Sequence, residues 1–539
     1  MESAHHIVAA SPGGAGVRLL SLVVGLALLL PAAGCAVFPQ GAYWPAHERG
    51  PSEGPPLENT DATEQASAPA ARQRPLHSTA DLQANITRRW LDEALADSAR
   101  QMRGWAGRCV YADAMRTVVW CYVEPVSYRD LVVAGLESLR AALENPTFRE
   151  RFGAAADAKR RERFAQALDI LVLKAGAANP WFAFQAADWL AIAMEKNRAM
   201  LGLPDGAVVA EFLFGAMDAL DPYTRFLTPD MLQAYDAQRT GRYSGIGATV
   251  ARRNGRVVIE HVFKGGAAER AGLEAGDEVL SVTGEPVADL TLDEISARLR
   301  GKAGTKVTLS VRSGDQDEPR EVVLIRTAVR VPAVQDVQMI DPQRRIGYVR
   351  VTAFRSGVEQ ELRRAVRALA DQGAEALVLD LRDNPGGLLL SAVEVAGLLF
   401  GGRVAQTRGR MPGATWRYDT PLFARQAWRG PLVVLVNEGT ASASEIVASA
   451  LSRQGRALLV GRRTFGKGAV QICLPVDWGT SAVVVTIARA YDAKGRCLDG
   501  RGVAPDVTAP EADVRHETVG DDPMVRAAVE SLRVPAHEP

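Results

Sequence analysis

The sequence predicts a multidomain α/β protein, with an N-terminal helical region, a small β-barrel-like domain and an α/β core. Three changes of apolar pattern along the 539 residues support this prediction. Apolar residues recur at helical spacing from about 81 to 235, alternate from about 240, and form continuous runs from about 331. Continuous runs suit strands that are buried on both faces of a sheet. A chain of this length favours two to four domains.

The N-terminus has the pattern of an export signal. The apolar run from Leu19 to Leu30 follows Arg18 and is shorter than the ~20 residues that span a bilayer. PAAGC, ending at Cys35, resembles the lipobox of bacterial lipoproteins, in which the cysteine becomes the lipidated N-terminus. The alternative is an ordinary signal peptide cut nearby. We therefore predict a signal peptide over 1–35 and an exported protein of the cell envelope (periplasm), anchored to the membrane as a lipoprotein.

The rest of the chain, residues 36–539, divides into a linker, three folded regions and a tail. Residues 36–80 are rich in Pro, Gly, Ala, Ser and charge, which is typical of a flexible linker. We predict the helical region over 81–239, the small β domain over 240–328, the α/β core over 329–510 and a tail over 511–539 that contains a short helix. The helical region is open to two roles, binding an adaptor or forming a homo-oligomer, and the sequence does not choose between them.

Composition and cysteine content narrow the class of protein. The formal net charge is zero and no basic stripe is present, which argues against nucleic acid as the main partner. Besides Cys35, the chain has Cys109, Cys121, Cys473 and Cys497. Two disulfides, Cys109–Cys121 and Cys473–Cys497, are one alternative in an exported protein, and four free buried thiols are the other. The chain has no CxxC, and we predict neither a metal nor a cofactor.

A serine and a lysine are the candidate nucleophile and base. VLVNEGTASASEI, 434–446, places Ser442 among small residues where a strand becomes a helix. None of the seven histidines belongs to the α/β core, so the base is not predicted to be His. Lys467 lies between two glycines in TFGKGAVQ. A lysine is charged at neutral pH unless burial lowers its pKa, so the site must enclose Lys467 without a carboxylate in contact.

Acyl transfer also needs N–H donors for the developing oxyanion. The N–H of Ala443 lies at the positive end of the helix that starts after Ser442. LDLRDNPGGLL offers the N–H groups of Gly386 and Gly387, which have no Cβ to block an approach. The alternative for this loop is a purely structural turn.

Several motifs together resemble one family. NEGTASASEI, TFGKGAVQ, LDLRDNPGG, and GIGATV with AGLEAGDEVLSV are similar to motifs of the carboxyl-terminal processing peptidases, or tail-specific proteases. These are serine proteases with a Ser-Lys dyad and an embedded PDZ domain. The resemblance covers about 200 to 510 and implies a nucleophile at Ser442, a base at Lys467, and Gln471 as the residue that orients the lysine. Thr440 replaces the first serine of the family motif. Arg453 replaces an acid found in some members, so no third acidic member is implied.

The resemblance makes the small β domain a PDZ domain. Such domains add a ligand strand to a sheet edge and hold its C-terminal carboxylate in backbone N–H groups. The predicted carboxylate loop is Tyr243, Ser244, Gly245, Ile246 and Gly247, with Ile246 lining a pocket for an apolar last residue. We therefore expect an endopeptidase that binds protein substrates with apolar C-termini and cleaves upstream. The alternatives are a catalytically weak PDZ scaffold and a Ser-Lys amidase or esterase for small molecules.

Overall fold

A computed structural model describes residues 78–101, 104–153, 157–253, 255–313, 318–421, 425–476, 479–510 and 519–532. The predicted signal peptide, Cys35 and nearly all of the predicted linker lie outside the described residues. Residues Thr79–Pro539 form one compact unit. In the ranges given above, no helix combines the length and the apolar character that crossing a membrane requires.

The helical region packs around one apolar core. Its helices are α1 (Thr79–Trp90), α2 (Glu93–Gln101), α3 (Gly104–Cys121), α4 (Tyr128–Ala142), α5 (Pro146–Phe152), α6 (Ala158–Ala177), α7 (Ala183–Met200), α8 (Asp205–Asp218) and α9 (Pro229–Thr240). The central helix α8 is buried on every face from Gly206 to Met217. Its buried Glu211 accepts hydrogen bonds from Trp90 Nε1 and Ser138 Oγ, both at 2.5 Å. These bonds tie α1 and α4 to α8.

The helical region also contributes a strand to a sheet of the core. The five-stranded sheet contains β1 (Arg225–Leu227), β13 (Arg403–Arg408), β14 (Trp416–Asp419), β17 (Ala469–Val476) and β18 (Ser481–Tyr491). β1 pairs antiparallel with β18. Val476, Val483 and Val485 are buried in the same apolar core as the helices. The helices therefore share one core with strands β17 and β18.

A six-stranded sheet forms the centre of the α/β core. Its order is β10 (Val334–Asp341), β11 (Ile346–Val351), β12 (Ala376–Asp380), β15 (Leu432–Val436), β16 (Leu458–Gly461) and β19 (Val507–Thr508). All pairs except β10–β11 are parallel. One face is covered by α12 (Val358–Asp371), α13 (Leu389–Leu399) and α14 (Ala443–Arg453), and the other by α15 (Pro523–Ser531). Every residue of β12 and β15 is buried, as their continuous apolar runs predict.

The small β domain has its own apolar core. Its strands are β2 (Arg242–Gly245), β3 (Ala248–Arg253), β4 (Arg256–Val262), β5 (Glu278–Val282), β6 (Glu285–Pro286), β7 (Lys306–Arg312), β8 (Arg320–Ile325) and β9 (Thr327–Arg330), with helices α10 (Ala267–Arg270) and α11 (Leu292–Leu299). β2 and β9 pair, so the chain enters and leaves this domain side by side. The predicted fold class, helices followed by a small β domain and an α/β core, is confirmed.

All four described cysteines are free thiols. Cys121 is buried, Cys473 and Cys497 are half-buried and Cys109 is exposed. The structure therefore has four free thiols rather than the two disulfides Cys109–Cys121 and Cys473–Cys497, although the thiols are not all buried.

Candidate active site

Ser442 lies in a strained turn between β15 and α14. Its φ of 59° and ψ of −118° fall in a region that favours glycine and costs other residues on the order of 1–3 kcal/mol. Two hydrogen bonds hold the turn: Ala441 N donates to the carbonyl of Asn384 (2.9 Å), and Ser442 N donates to Glu445 Oε2 (2.8 Å). The side chain of Ser442 is half-buried, so the hydroxyl stands at the mouth of α14.

Thr440 keeps the hydroxyl of the serine that it replaces. It is fully buried, and its Oγ1 donates to the carbonyl of Leu381 (2.8 Å) while accepting from Asn437 N (3.0 Å). A serine would make the same bonds, so the replacement preserves the contacts that fix the turn.

The loop after β12 packs directly on this turn. A Cβ added to Gly386 would lie 2.8 Å from Ala443 N and 2.8 Å from Ser442 Cβ, so only glycine fits there. Gly386 N donates to Asn384 Oδ1 at 2.9 Å. The N–H groups of Gly387 and Ala443, by contrast, have no acceptor within the described residues. Of the three predicted donors, two are free and one is engaged in its own loop.

A buried charge cluster fixes the start of the same loop. Asp380 is fully buried and accepts from Tyr348 Oη and Arg382 Nη2, both at 2.6 Å. Arg382 Nη1 also donates to Asp522 Oδ2 at 2.6 Å. Asp522 is the N-cap of α15, the predicted tail helix, so the tail helix braces the glycine loop.

Glu445 joins the serine turn to the lysine loop. Its carboxylate is fully buried. Oε1 accepts from Thr464 Oγ1 (2.6 Å) and Gly466 N (2.7 Å). Oε2 accepts from Ser442 N and from Lys467 N, both at 2.8 Å. One carboxylate thus fixes both loops, and the sequence analysis missed this role. The signal was one acid, Glu445, within a stretch of small and apolar residues from 443 to 451.

The Lys467 amine lies against a segment of the helical region. Its Nζ is 4.6 Å from the centroid of the Tyr223 ring, a cation–π contact. Burial lowers the pKa of the Lys467 amine, and the charge of Arg225 acts in the same direction. The carboxylates of Asp221 and Glu445 act against this shift. Asp221, Tyr223 and Arg225 were also missed, because sequence spacing gives no sign that they face a lysine so far along the chain.

Ser442 and Lys467 are joined through their backbones rather than their side chains. Among the described residues, the Lys467 amine has no carboxylate within ion-pair distance and makes no hydrogen bond with the Ser442 hydroxyl. The amine rests instead on Tyr223. A hydroxyl–amine contact therefore requires one of the two side chains to move.

The glycines around Lys467 are required by close packing. A Cβ added to Gly468 would lie 2.3 Å from Asp499 N, and one added to Gly466 would lie 3.0 Å from Gly502 N. Gly468 N also donates to Asp499 Oδ1 at 3.0 Å. The loop Gly466–Gly468 is therefore pressed against the segment Asp499–Gly502.

Gln471 lies on β17, and its side chain points to the neighbouring strand. Its Nε2 donates to Thr486 Oγ1 at 3.3 Å. Thr486 N in turn donates to Thr224 Oγ1 at 3.2 Å. Gln471 is thus linked to the segment that carries Tyr223, and no bond from it to Lys467 is formed among the described residues.

The small β domain contains a groove of about 350 Å³ beside its predicted carboxylate loop. Lining residues include Tyr243, Gly245, Ile246, Gly247, Leu299 and Arg300. Gly247 has φ of 81°, and a Cβ there would lie 2.7 Å from Gly266 Cα, so the loop needs glycine. Ile246 is 2% exposed and packs into the core of the domain while bordering the groove. Ser244 has a buried hydroxyl and is not among the groove-lining residues.

Two family models match the chain. The PDZ domain model matches residues 236–312, and the model of peptidase family S41 matches residues 345–509. The first lies on the small β domain, and the second contains every predicted catalytic and oxyanion residue.

Curated relatives agree with these matches. A carboxyl-terminal-processing protease of Picosynechococcus sp. is 34% identical over 355 residues, which is 65% of this chain and 84% of the relative. The carboxy-terminal processing protease CtpA of Bacillus subtilis is 33% identical over 319 residues, 58% of this chain and 65% of the relative. Among solved structures, the photosystem II D1 C-terminal processing protease is 27% identical, with a TM-score of 0.41 over 80% of this chain and 98% of that one.

Proposed function

Because the chain belongs to the carboxyl-terminal processing proteases of peptidase family S41, we propose that it cleaves proteins with a dyad of Ser442 and Lys467. It is a serine-type protease with a PDZ domain. The observation that carries the proposal is the environment of Lys467. Burial lowers the pKa of its amine, which is free of carboxylates at ion-pair distance in the described part of the chain. Its loop shares the Glu445 carboxylate with Ser442.

The proposed reaction begins when the Lys467 side chain leaves Tyr223 and meets the Ser442 hydroxyl. Neutral Lys467 takes the hydroxyl proton as Ser442 Oγ attacks the carbonyl carbon of the scissile bond. The tetrahedral intermediate then collapses, the C–N bond breaks, and the protonated amine gives its proton to the leaving nitrogen. Water hydrolyses the acyl-enzyme with Lys467 again as base. Gln471 is the proposed orienting residue for the amine in this reactive position.

The developing oxyanion is stabilised by backbone donors beside Ser442. Ala443 N and Gly387 N are the proposed pair, since both lack acceptors among the described residues. Gly386 N takes part only if its bond to Asn384 Oδ1 opens. Loss of one such donor typically reduces kcat by about 10²–10³-fold.

The PDZ domain binds the C-terminal tail of the substrate. Its loop Tyr243–Gly247 binds the C-terminal carboxylate of a protein, and the groove beside Leu299 accepts an apolar last residue. The substrates are therefore proteins with apolar C-termini, cut upstream of the bound tail. The apolar N-terminal run and Cys35 support export to the cell envelope and anchoring by a lipid, and both lie outside the described residues.

The helical region offers a surface for a partner. Trp181, Phe182 and Phe184 are 74%, 58% and 63% exposed where α6 connects to α7. The rings of Phe182 and Phe184 stack with centroids 5.6 Å apart. Exposed aromatic clusters of this kind are typical of association surfaces, and an adaptor or a second copy of the chain is the proposed partner.

The test uses the purified protein and an unfolded protein that ends in apolar residues. Three comparisons are made: Ser442→Ala, Lys467→Ala, and a substrate with an amidated tail. Cleavage lost in both variants and weakened by amidation supports the proposal. Tail binding without cleavage by the unmutated protein supports a PDZ scaffold instead, and cleavage that persists in Lys467→Ala rejects the dyad.

A further inference from the structure

Arg489 lies on β18 beside the loop that carries Lys467. In the antiparallel pairing of β17 with β18 it is opposite Ala469, two residues after the lysine. Its Nη1 forms an ion pair with Asp499 Oδ2 at 3.0 Å. The other oxygen of this carboxylate, Oδ1, accepts from Gly468 N at 3.0 Å. Arg489 and the lysine loop are therefore joined through one carboxylate.

A second acid, Asp221, faces the same place from the helical region. It is 5% exposed, and its Oδ1 accepts from Tyr223 N at 2.8 Å. The hydroxyl of Tyr122 donates a hydrogen bond to the same carboxylate. The charge of Asp221 acts on both Lys467 and Arg489. The field of one buried carboxylate therefore reaches two cations, and only one of them is the proposed base.

The Tyr223 ring is the point at which these groups meet. The Lys467 amine lies 4.6 Å from the centroid of this ring. Burial raises the pKa of the Tyr223 hydroxyl, and the charges of Asp499 and Asp221 raise it further. The charge of Arg489 acts against them. The amine and the ion pair thus share one neighbour, although the amine pairs with neither acid in the described part of the chain.

A carboxylate released beside the lysine would remove its basicity. An opposite charge within about 4–6 Å favours the charged form of a group and shifts its pKa by about 1–3. Without Arg489, Asp499 loses its ion-pair partner and the charge of Asp221 is opposed less. Two other charges face the amine: Arg225 disfavours its protonation, and Glu445 favours it. The net charge around the amine would therefore become more negative.

We propose that Arg489 is a positioning residue for the base: as the counter-ion of Asp499 and Asp221, it keeps both carboxylates from binding the lysine amine. The inference deepens the proposed function and rests on it for the role of Lys467. Arg489 acts through the two acids rather than on the reacting atoms. Asp221 precedes β1 and Asp499 follows β18, so the pairing of these two strands brings both acids to the guanidinium.

The first experiment measures kcat/KM on a short fluorogenic peptide over a range of pH, because this ratio reports the pKa of the base in the free enzyme. The change is Arg489→Gln, with Arg489→Lys as the variant that keeps the charge. Arg403→Gln is the matched control, since Arg403 forms an ion pair with Asp419 between two other strands of the same sheet.

We expect the midpoint of the rise in activity with pH to lie about one pH unit higher in Arg489→Gln, because a released carboxylate favours the protonated amine. At neutral pH, kcat/KM should then be about tenfold lower, since the neutral fraction of the amine falls tenfold for each unit. Arg489→Lys should restore most of the profile, and Arg403→Gln should match the parent. A parental midpoint in Arg489→Gln refutes the proposal, even where the activity falls.

The double variant Arg489→Gln with Asp499→Asn separates charge from folding. Asparagine keeps an oxygen for Gly468 N but carries no charge, so the midpoint should return most of the way to the parental value. A midpoint that stays where Arg489→Gln alone places it rejects the counter-ion role and leaves Arg489 a structural residue.

Lys467 is also titrated without catalysis, in the Ser442→Ala protein. The rate at which acetic anhydride acetylates Lys467, read by mass spectrometry of the peptide that contains it, follows the neutral fraction of the amine. Its midpoint should move to higher pH in Arg489→Gln, and an unmoved midpoint refutes the proposal. If the unmutated protein cuts no peptide, the proposed proteolytic function fails, while this labelling still decides the role of Arg489.

Discussion

Replacement of Glu445 by glutamine is the sharpest test of how the site is held together. The carboxylate accepts four hydrogen bonds of 2.6–2.8 Å. An amide keeps one oxygen and turns an NH₂ group towards two of the donors, so two bonds are lost. At about 1.5–3 kcal/mol for each bond to a charged group, the loss is on the order of 4 kcal/mol. The loss weakens the connection between the Ser442 turn and the Lys467 loop, which the Glu445 carboxylate holds together.

Two measurements read the effect. The kcat/KM of Glu445→Gln on a short fluorogenic peptide should fall at least about 100-fold, because each 1.4 kcal/mol of lost positioning is about tenfold. The amides of Gly466 and Lys467 should exchange hydrogen faster, since both lose or weaken their acceptor. Glu438→Gln is the control: Glu438 lies in the same turn and is half exposed in its pairing with Arg462, so its change should be nearly neutral. Parental kcat/KM with unchanged exchange in Glu445→Gln would refute this account of the site.

Four further predictions concern Ser442, Lys467 and Gly468. Ser442→Gly should be about 1 kcal/mol more stable to urea than Ser442→Ala, because relief of the positive-φ strain (about 1–3 kcal/mol) outweighs the larger entropic cost of glycine (about 0.5–1 kcal/mol), and equal stability would remove the strain argument. Activity should rise with pH as Lys467 loses its proton, at a pH below the ordinary lysine pKa, because burial lowers the pKa of this amine. Because the folded protein disfavours the protonated Lys467 amine, Lys467→Met should raise the free energy of unfolding at neutral pH. This gain should fade in alkali, where the amine is neutral in the folded and the unfolded protein, and urea titrations at several pH values would measure it. Gly468→Ala should destroy activity and destabilise the core, because its Cβ would lie 2.3 Å from the backbone of Asp499, whereas Gly401→Ala, with open space around it, should behave as the parent in the same peptide assay.

The sequence predicted those parts of the fold that depend on local pattern. Ala376–Asp380 and Leu432–Val436 are apolar throughout, and strands buried on both faces need that composition. The strand Arg225–Leu227 was missed because three residues are too few to show an alternating apolar pattern, and because its pairing partner Ser481–Tyr491 is remote in sequence.

The candidate site divides in the same way. The backbone around Ser442 and Lys467 packs closely against neighbouring loops, and this packing requires small residues and glycines. These residues are visible in the sequence itself. Glu445 and Tyr223 act through space, and only the folded chain shows which loop each one meets.

The pairing of β1 with β18 has a consequence for the newly made protein. The segment with Tyr223 leaves the ribosome long before Ser481–Tyr491, the strand on which it docks. Until β18 is made, β1 has no strand to pair with, and the Lys467 amine lacks the contact with Tyr223 and the burial that lowers its pKa. Under the proposed dyad, a nascent chain that ends before β18 therefore has no neutral amine to act as the base and does not cut its own unfolded segments.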